Sequence, residues 1–382
     1  MNARRWDIFC AVIDNYGDIG VAWRLARQLA GEYGFSVRLW VDDLSAFQKL
    51  CPEISLSARV QNILSVEVRA WDKTFPEDAV PGQVVIEAFG CRLPESFMKA
   101  MAERSPPPVW TNLEYLSAET WVETCHALPS PHPVLPLVKH FFFPGFTEKT
   151  GGLLRERGLD ARRRTFAKSQ EPRDFFQNAP ETDIRSTSDT PPLTVFLFAY
   201  ENAALPDLLD FFASGTQPVR CLIPPSRPAA GGFSGISARQ GKSFRRGNLE
   251  VFFLPSFVPQ TEFDKLLWMS DVNFIRGEDS FIRAQWAEKP FVWHIYPQEE
   301  KTHLVKLDAF LDLFCNALPR EASNALRAFH HAWNENRLSP EICSDWMASL
   351  PQQRPHAKKW AKFLKKQDDL CRSLTRFCLS RL

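Results

Sequence analysis

The chain has 382 residues, more than one ordinary core holds and a fit for two domains of α/β size. Hydrophobic residues make up 45% and charged residues 24%, the balance of a globular protein. With 46 basic against 45 acidic residues the formal charge is +1, which gives no ground for nucleic acid as the main ligand.

From the N-terminus, residues 6–13 (WDIFCAVI) read as a buried strand. Asp7 and Asp14 interrupt this apolar stretch, so it is neither a signal peptide nor a membrane span. A turn follows, Asp14-Asn15-Tyr16-Gly17-Asp18-Ile19-Gly20, and then residues 21–32 repeat apolar side chains every four positions, as a helix does. Further strands are expected at 36–41, 83–88 and 108–113. Strand and helix in alternation give a parallel sheet with crossovers. Residues 161–192 open with ARRR and are rich in polar residues, Pro and Ser/Thr; they read as an inter-domain linker or disordered loop. Strands resume at 193–199, 219–223, 249–254, 272–275 and 291–294, with helices at 262–269 and 280–288. Residues 224–248 read as a long surface loop and 301–382 as helical. The simplest architecture is two α/β domains with a helical tail, facing a shared cleft.

Nine cysteines include no CxxC pair, so zinc spacing is absent and the thiols read as buried in a reducing cytosol. The 31 Phe and 12 Trp against 5 Tyr are mostly core material, though such a chain can also supply faces that stack on a base. His330 and His331, in a helix, read as solvated rather than metal-binding.

Several strand ends carry chemistry. The turn Asp14–Asp18 follows the first strand, where open α/β sheets bind ligands. It is not GxGxxG, and two carboxylates would repel a phosphate. The turn therefore suits an acid/base role or a cationic substrate, unless Asp18 simply caps the helix. Arg276-Gly277-Glu278-Asp279-Ser280 is a strand end, a glycine turn and a helix start. A diphosphate fits there against the helix amides, the Ser280 hydroxyl and the Arg276 fork, with Glu278 near the leaving group. A helix capped by Asp279 or Ser280 beside a surface Arg–Glu pair accounts for the same residues. Phe257, between Pro255 and Pro259, can stack on a base or belong to the core, and Gln260 can bond base or ribose. Tyr200 ends the first strand of the second domain and can donate to a phosphate. Glu114 and Tyr115 lie at another strand end of the first domain.

The segments WDIFCAVIDNYGDIGVAWRLARQLA, NLEYLSAE, GFTEKTGGLLRERGL and LPSFVPQTEFDKLLWMSDVNFIRGEDSFIRAQWAEKPFVWHIYPQEE together resemble the protein-arginine rhamnosyltransferases that modify bacterial elongation factor P. The resemblance covers nearly the whole chain. It implies the GT-B fold: two Rossmann-like domains facing a central cleft, residues 1–160 for the acceptor and 193–350 for the nucleotide sugar. Residues 161–192 are then a linker, and 351–382 a helical tail that can pack back on the first domain. It also implies an inverting transfer from TDP-β-L-rhamnose to one arginine on a loop of elongation factor P, without metal or other cofactor, in the cytoplasm, with no membrane or nucleic acid involved. Asp14, Asp18 and Glu278 match the essential carboxylates, with Asp18 as base. Tyr200, Phe257, Gln260, Arg276, Gly277, Asp279 and Ser280 match the donor side. Asn15, Tyr16, Gly17, Glu114 and Tyr115 fall on the acceptor side. A GT-B enzyme with another sugar or acceptor, or a non-catalytic nucleotide-sugar-binding regulator, is the alternative; three carboxylates spread over two domains favour catalysis.

Overall fold

In the computed structural model, the described residues are 4–13, 16–71, 75–177, 191–225 and 243–382. Their packing separates two units: Met1–Arg157 together with Leu364–Leu382, and Gly158–Phe363.

The first unit runs β1 (Arg5–Cys10), α1 (Gly17–Tyr33), β2 (Ser36–Val41), α2 (Leu44–Leu50), β3 (Val60–Ile63), β4 (Val66–Ala70), β5 (Val84–Ala88), α3 (Glu95–Ala102), β6 (Val109–Leu113), α4 (Trp121–Cys125), β7 (Pro129–Pro131) and β8 (Val138–Phe142). The strands form one sheet in the order β3-β4-β2-β1-β5-β6-β8-β7. Only the edge strands β3 and β7 pair antiparallel. Strands β5 and β6 are buried throughout, including Glu87 in the first and Thr111 and Asn112 in the second. Asp7, the polar interruption in the first run, is fully buried. It lies beside Arg38 in the β1–β2 register and takes that guanidinium bidentately, at 2.6 and 2.8 Å. The Gly82 amide and the Trp40 indole N–H also donate to it, at 2.7 and 3.0 Å. A buried carboxylate held this fully is compatible with a core strand.

Helix α1 begins at Gly17, before the first apolar repeat, because periodicity marks only the packed part of a helix. The last helix of the chain, α13 (Leu370–Leu379), belongs to this unit. Its cap Asp369 accepts from Gln28 of α1 (3.2 Å), and the Leu370 amide donates to Leu153 O (3.0 Å). Gly152 lies at φ +75°, and a Cβ there would stand 2.3 Å from the Asp368 carbonyl; the glycine lets the chain pass the start of α13.

The second unit runs α5 (Leu159–Lys168), α6 (Glu171–Gln177), β9 (Leu193–Leu197), α7 (Leu205–Ser214), β10 (Val219–Ile223), β11 (Ser243–Arg246), β12 (Leu249–Phe253), α8 (Gln260–Met269), β13 (Val272–Arg276), α9 (Asp279–Ala287), β14 (Phe291–His294), α10 (Thr302–Cys315), α11 (Arg320–Asn334) and α12 (Pro340–Leu364). Its sheet order is β11-β12-β10-β9-β13-β14, with only β11 antiparallel. The stretch 161–192, read as a linker, therefore carries most of α5 and all of α6; its residues 178–190 lie outside the described residues. Leu159 and Phe166, two turns apart, are buried while Arg162 and Arg164 between them are exposed. Phe166 packs on Trp268 of α8 at 5.6 Å. Composition hid this helix because its apolar face is only two residues deep. The loop expected over 224–248 ends in β11, and its residues 226–242 lie outside the described residues.

The outer edge of β14 is covered by α11. The Trp293 amide donates to His330 Nε2 (3.2 Å) and the Ile295 amide to Asn334 Oδ1 (3.0 Å), while Asn334 Nδ2 donates to Trp293 O (2.8 Å). His330 and Asn334, four residues apart, share one helix face and act as a surrogate strand. His330 is thus fully buried, against the expectation of a solvated residue; its neighbour His331 is half-buried and meets Asp308 at 2.7 Å. Among the described residues, no helix is long and apolar enough to cross a membrane.

Candidate functional site

In a parallel sheet a ligand crevice opens where two adjacent strands send their chains to opposite sides. In the first unit, strands β2 and β4 extend from β1 in one direction and β5, β6 and β8 in the other, so the switch point lies between β1 and β5. In the second unit the same logic places it between β9 and β13. Residues singled out from the sequence stand at both.

At the first switch point, two carboxylates pin the chain as it leaves β1. The Val12 amide donates to Asp42 Oδ1 and the Ile13 amide to Asp18 Oδ2, each at 2.8 Å. Asp18 is 2% exposed and sits in the first turn of α1, near the helix's positive end. It does not act as the cap. The N-cap is Tyr16, which makes no side-chain cap bond, and the first turn is closed by Gly20 N donating to Tyr16 O at 2.9 Å. Asp18 therefore fastens the helix start to the strand end, with Gly17 opening the helix. Asp14 and Asn15 lie outside the described residues. Burial first, then the negative charge of Asp18, pushes the Cys10 thiol far above its ordinary range, so Cys10 is an inert core thiol.

Across the switch point, the chain leaving β5 takes left-handed backbone at Phe89, Gly90 and Arg92 (φ 56°, 65° and 55°). Two non-glycine residues of this kind in one turn carry strain, which collects at functional sites. The turn is held by Gly90 N donating to Asn112 Oδ1 (3.0 Å) and by Arg92 N donating to Glu87 Oε1 (3.0 Å). Glu87 is a further buried carboxylate, in register with Phe9 of β1 and paired with Lys139 at 3.1 Å. Asn112 also bonds Glu114, and Tyr115 stacks on Phe89 with centroids 4.5 Å apart. Glu114 and Tyr115 are thereby tied to the turn after β5. Sequence reasoning missed Glu87 and this turn, because a left-handed Phe and Arg leave no mark in composition.

At the second switch point, Arg276 ends β13 and is 8% exposed. Its guanidinium lies over the rings of Phe198 and Tyr200, 4.5 and 4.8 Å from their centroids, and its Nη1 donates to Ala199 O at 3.4 Å. The aromatic pair comes from the chain just after β9, so the two strands flanking the switch point jointly fix one cation. Tyr200 is itself backed edge-on by His294 and Tyr296, at 5.4 and 5.5 Å. His294 is buried and pushed down to about 3, mainly by burial and then by the Arg276 charge, so it stays neutral.

After Arg276 the chain turns at Gly277, with φ +59°, and enters α9 through Glu278 as N-cap. Gly277 O accepts from Trp293 Nε1 (2.9 Å), and Trp293 stacks flat on Phe281 of the helix at 3.8 Å. Glu278 makes no cap bond, so neither Asp279 nor Ser280 is the cap. Ser280 accepts from Arg276 N (3.0 Å) and donates to Arg276 O, closing the turn within itself. Asp279 accepts from Gln260 Nε2 (3.0 Å), which joins the starts of α8 and α9. One turn further along both helices, Asp264 takes the buried Arg283 at 2.8 and 2.5 Å, a pair the sequence reading passed over. Glu278 pairs with Lys306 of α10 at 3.3 Å. Phe257 is half-buried in the loop between β12 and α8.

Each unit thus places a buried charged side chain at its switch point: Asp18 in the first, and in the second Arg276, beside a helix N-terminus that also carries Glu278 and Asp279. Among the described residues, no group of three or more His, Cys, Asp or Glu is placed to hold a metal ion.

Residues 6–379 match the family of the elongation-factor P (EF-P) rhamnosyltransferase EarP. The chain is 47% identical over 375 residues to the protein-arginine rhamnosyltransferase of Pseudomonas aeruginosa, covering 97% of this chain and 98% of that one. It is 39% identical to the protein of the same name from Shewanella oneidensis, covering 98% of each. A solved structure concerned with EarP-mediated arginine glycosylation of translation elongation factor EF-P is 34% identical, with a TM-score of 0.68 and coverage of 99% of this chain and 100% of that one. MurG of Acinetobacter baumannii, at 11% identity and a TM-score of 0.50 with full coverage of both chains, shares the fold alone. The chain therefore belongs to the EF-P rhamnosyltransferase family, and is a protein-arginine rhamnosyltransferase of the GT-B fold.

Proposed function

We propose that the protein transfers L-rhamnose, with inversion, from TDP-β-L-rhamnose to an arginine side chain of elongation factor P in the cytoplasm. The observation that carries this reading is a buried carboxylate, Asp18, at one switch point and a buried guanidinium, Arg276, at the other. A guanidinium is cationic and, with a pKa above about 12, a poor nucleophile. Asp18, buried in the acidic turn after β1, can orient it and take a proton as the new bond forms. Asp14 joins it in this role, and Asn15, Tyr16, Gly17, Glu114 and Tyr115 complete the acceptor side. The diphosphate of the donor lies against Arg276, Gly277 and the first amides of α9, with Asp279, Ser280 and Tyr200 around it; Phe257 and Gln260 hold the nucleoside.

In the reaction a guanidine nitrogen bonds to the anomeric carbon while that carbon's bond to the β-phosphate oxygen breaks. The nitrogen's proton passes to the Asp18 carboxylate and on to solvent, and TDP leaves with the bonding pair. Arg276 and the helix amides meet the charge that develops on the leaving oxygen, so the reaction takes no metal or other cofactor. Glu278 stands at the same turn, on the sugar side.

The reading is tested by mass spectrometry of purified elongation factor P after incubation with this protein and TDP-rhamnose, with and without EDTA. One deoxyhexose on an arginine is the expected product in both samples. No mass gain would sink the proposal, and a gain abolished by EDTA would sink its metal-free form.

A further inference from the structure

Glu278 occupies a position that an anionic donor would disfavour. It is the N-cap of α9, a helix of nine residues, where unpaired amides and the positive end of the dipole collect. A carboxylate there repels a diphosphate by the same law that draws the diphosphate to Arg276. Asp279, the next residue, adds a second negative charge.

Lys306 bears on this directly. Its ammonium donates to Glu278 Oε1 at 3.3 Å, and the two side chains are 21% and 13% exposed, so solvent screens the pair only partly. The lysine is also held firmly. Phe310, one turn along α10, packs edge-on against Phe281 of α9 at 4.8 Å and against Trp293 of β14 at 5.9 Å. The aromatic core that fixes α9 therefore also fixes the face of α10 that carries Lys306. The formal charges of Arg276, Lys306, Glu278 and Asp279 cancel, and the amides of α9 tip the balance positive. Without Lys306 the same group is net negative.

We propose that Lys306 is a positioning residue for the donor: it neutralises Glu278, so that a carboxylate needed at the sugar can stand at a helix N-terminus that still admits a nucleoside diphosphate. This inference rests on the donor reading above. It makes Lys306 a determinant of donor affinity that acts through Glu278.

The test is calorimetric titration of the full-length protein with TDP alone. Lys306→Met weakens binding about tenfold or more, Lys306→Arg stays within about threefold of the parent, and the double variant Glu278→Gln/Lys306→Met returns to within about threefold, because the charge that needed compensation is gone. A lysine that acted through packing alone, and not through the Glu278 charge, would not be rescued by removing that charge. Lys306→Met binding TDP like the parent, or a double variant as weak as Lys306→Met, overturns the proposal. Should Lys306→Met not fold, Glu278→Gln alone decides: it binds TDP several-fold more tightly than the parent, and unchanged binding overturns the proposal. If the parent protein itself fails to bind TDP, the donor reading falls and this inference with it.

Discussion

Asp18 and Arg276 are both buried charges, yet each is solved differently. Asp18 holds the Ile13 amide and so belongs to the backbone of its own turn. An asparagine can accept the same bond through its side-chain oxygen but cannot take a proton. Asp18→Asn is therefore expected to keep its thermal midpoint while turnover falls about a hundredfold or more, measured on elongation factor P. Full turnover in this variant would remove Asp18 from the role of base. Arg276 depends on its planar shape, because it lies over two aromatic rings while donating to Ala199 O. A lysine keeps the charge but neither the flat face nor the fork. Arg276→Lys should weaken TDP binding about tenfold, read by calorimetry. Equal binding would show that charge alone suffices there.

The elements of the donor side are locked in pairs. Gln260 and Asp264 lie one turn apart on α8, Asp279 and Arg283 one turn apart on α9, and the two rungs join at 3.0 and 2.8 Å. The inner rung is the stronger, since Arg283 is 1% exposed and has no route to water. Asp264→Ala leaves that guanidinium unpaired and is expected to lower stability by about 3–5 kcal/mol in urea denaturation. Asp264→Ala with Arg283→Met should recover most of the loss; a double variant as unstable as the single one would show that the pair is not the cause. The sequence marked helices over 262–269 and 280–288, which are α8 and α9 within two residues at each end. It did not mark this ladder, because spacing within one helix carries no information about which face of another helix it meets. The same holds for β14, whose edge is closed by His330 and Asn334 from a helix some 40 residues away in the chain.

Across the whole molecule, buried histidines set the acid limit. Unfolded imidazoles take up a proton near pH 6.5, whereas burial holds His330 down to about 4 and His294 down to about 3. Between those values the unfolded chain binds more protons than the folded one. Stability is therefore full above pH 6.5, declines as pH falls below it, and levels off once the folded values are passed. The slope is about 1.4 kcal/mol per pH unit for each histidine, or roughly 4 kcal/mol for the two together at pH 5. Protonation of His330 at Nε2 also removes the acceptor of the Trp293 amide. Denaturant midpoints measured from pH 7 to pH 5 should show this fall, and His330→Asn should show a shallower one from a lower starting value. An identical pH slope in the variant would count against His330 as a contributor.

The sequence by itself determined the parallel α/β class, most central strands, the two charged turns and the family. These are recorded locally: buried parallel strands are mostly apolar runs, a packed helix repeats every four residues, and the long motifs carry the resemblance. Tertiary structure alone decided what the charged side chains touch. It turned the Asp7 interruption into a buried pair with Arg38 on the next strand, and part of a presumed linker into α5. It paired Glu278 with Lys306, and placed Arg276 over rings supplied by the chain just after a neighbouring strand. The physical reason is common to the three charged contacts. A backbone conformation is chosen by neighbours in the chain, but a buried charge must be met by whatever group the fold brings within about 3 Å, and that group lies tens of residues away.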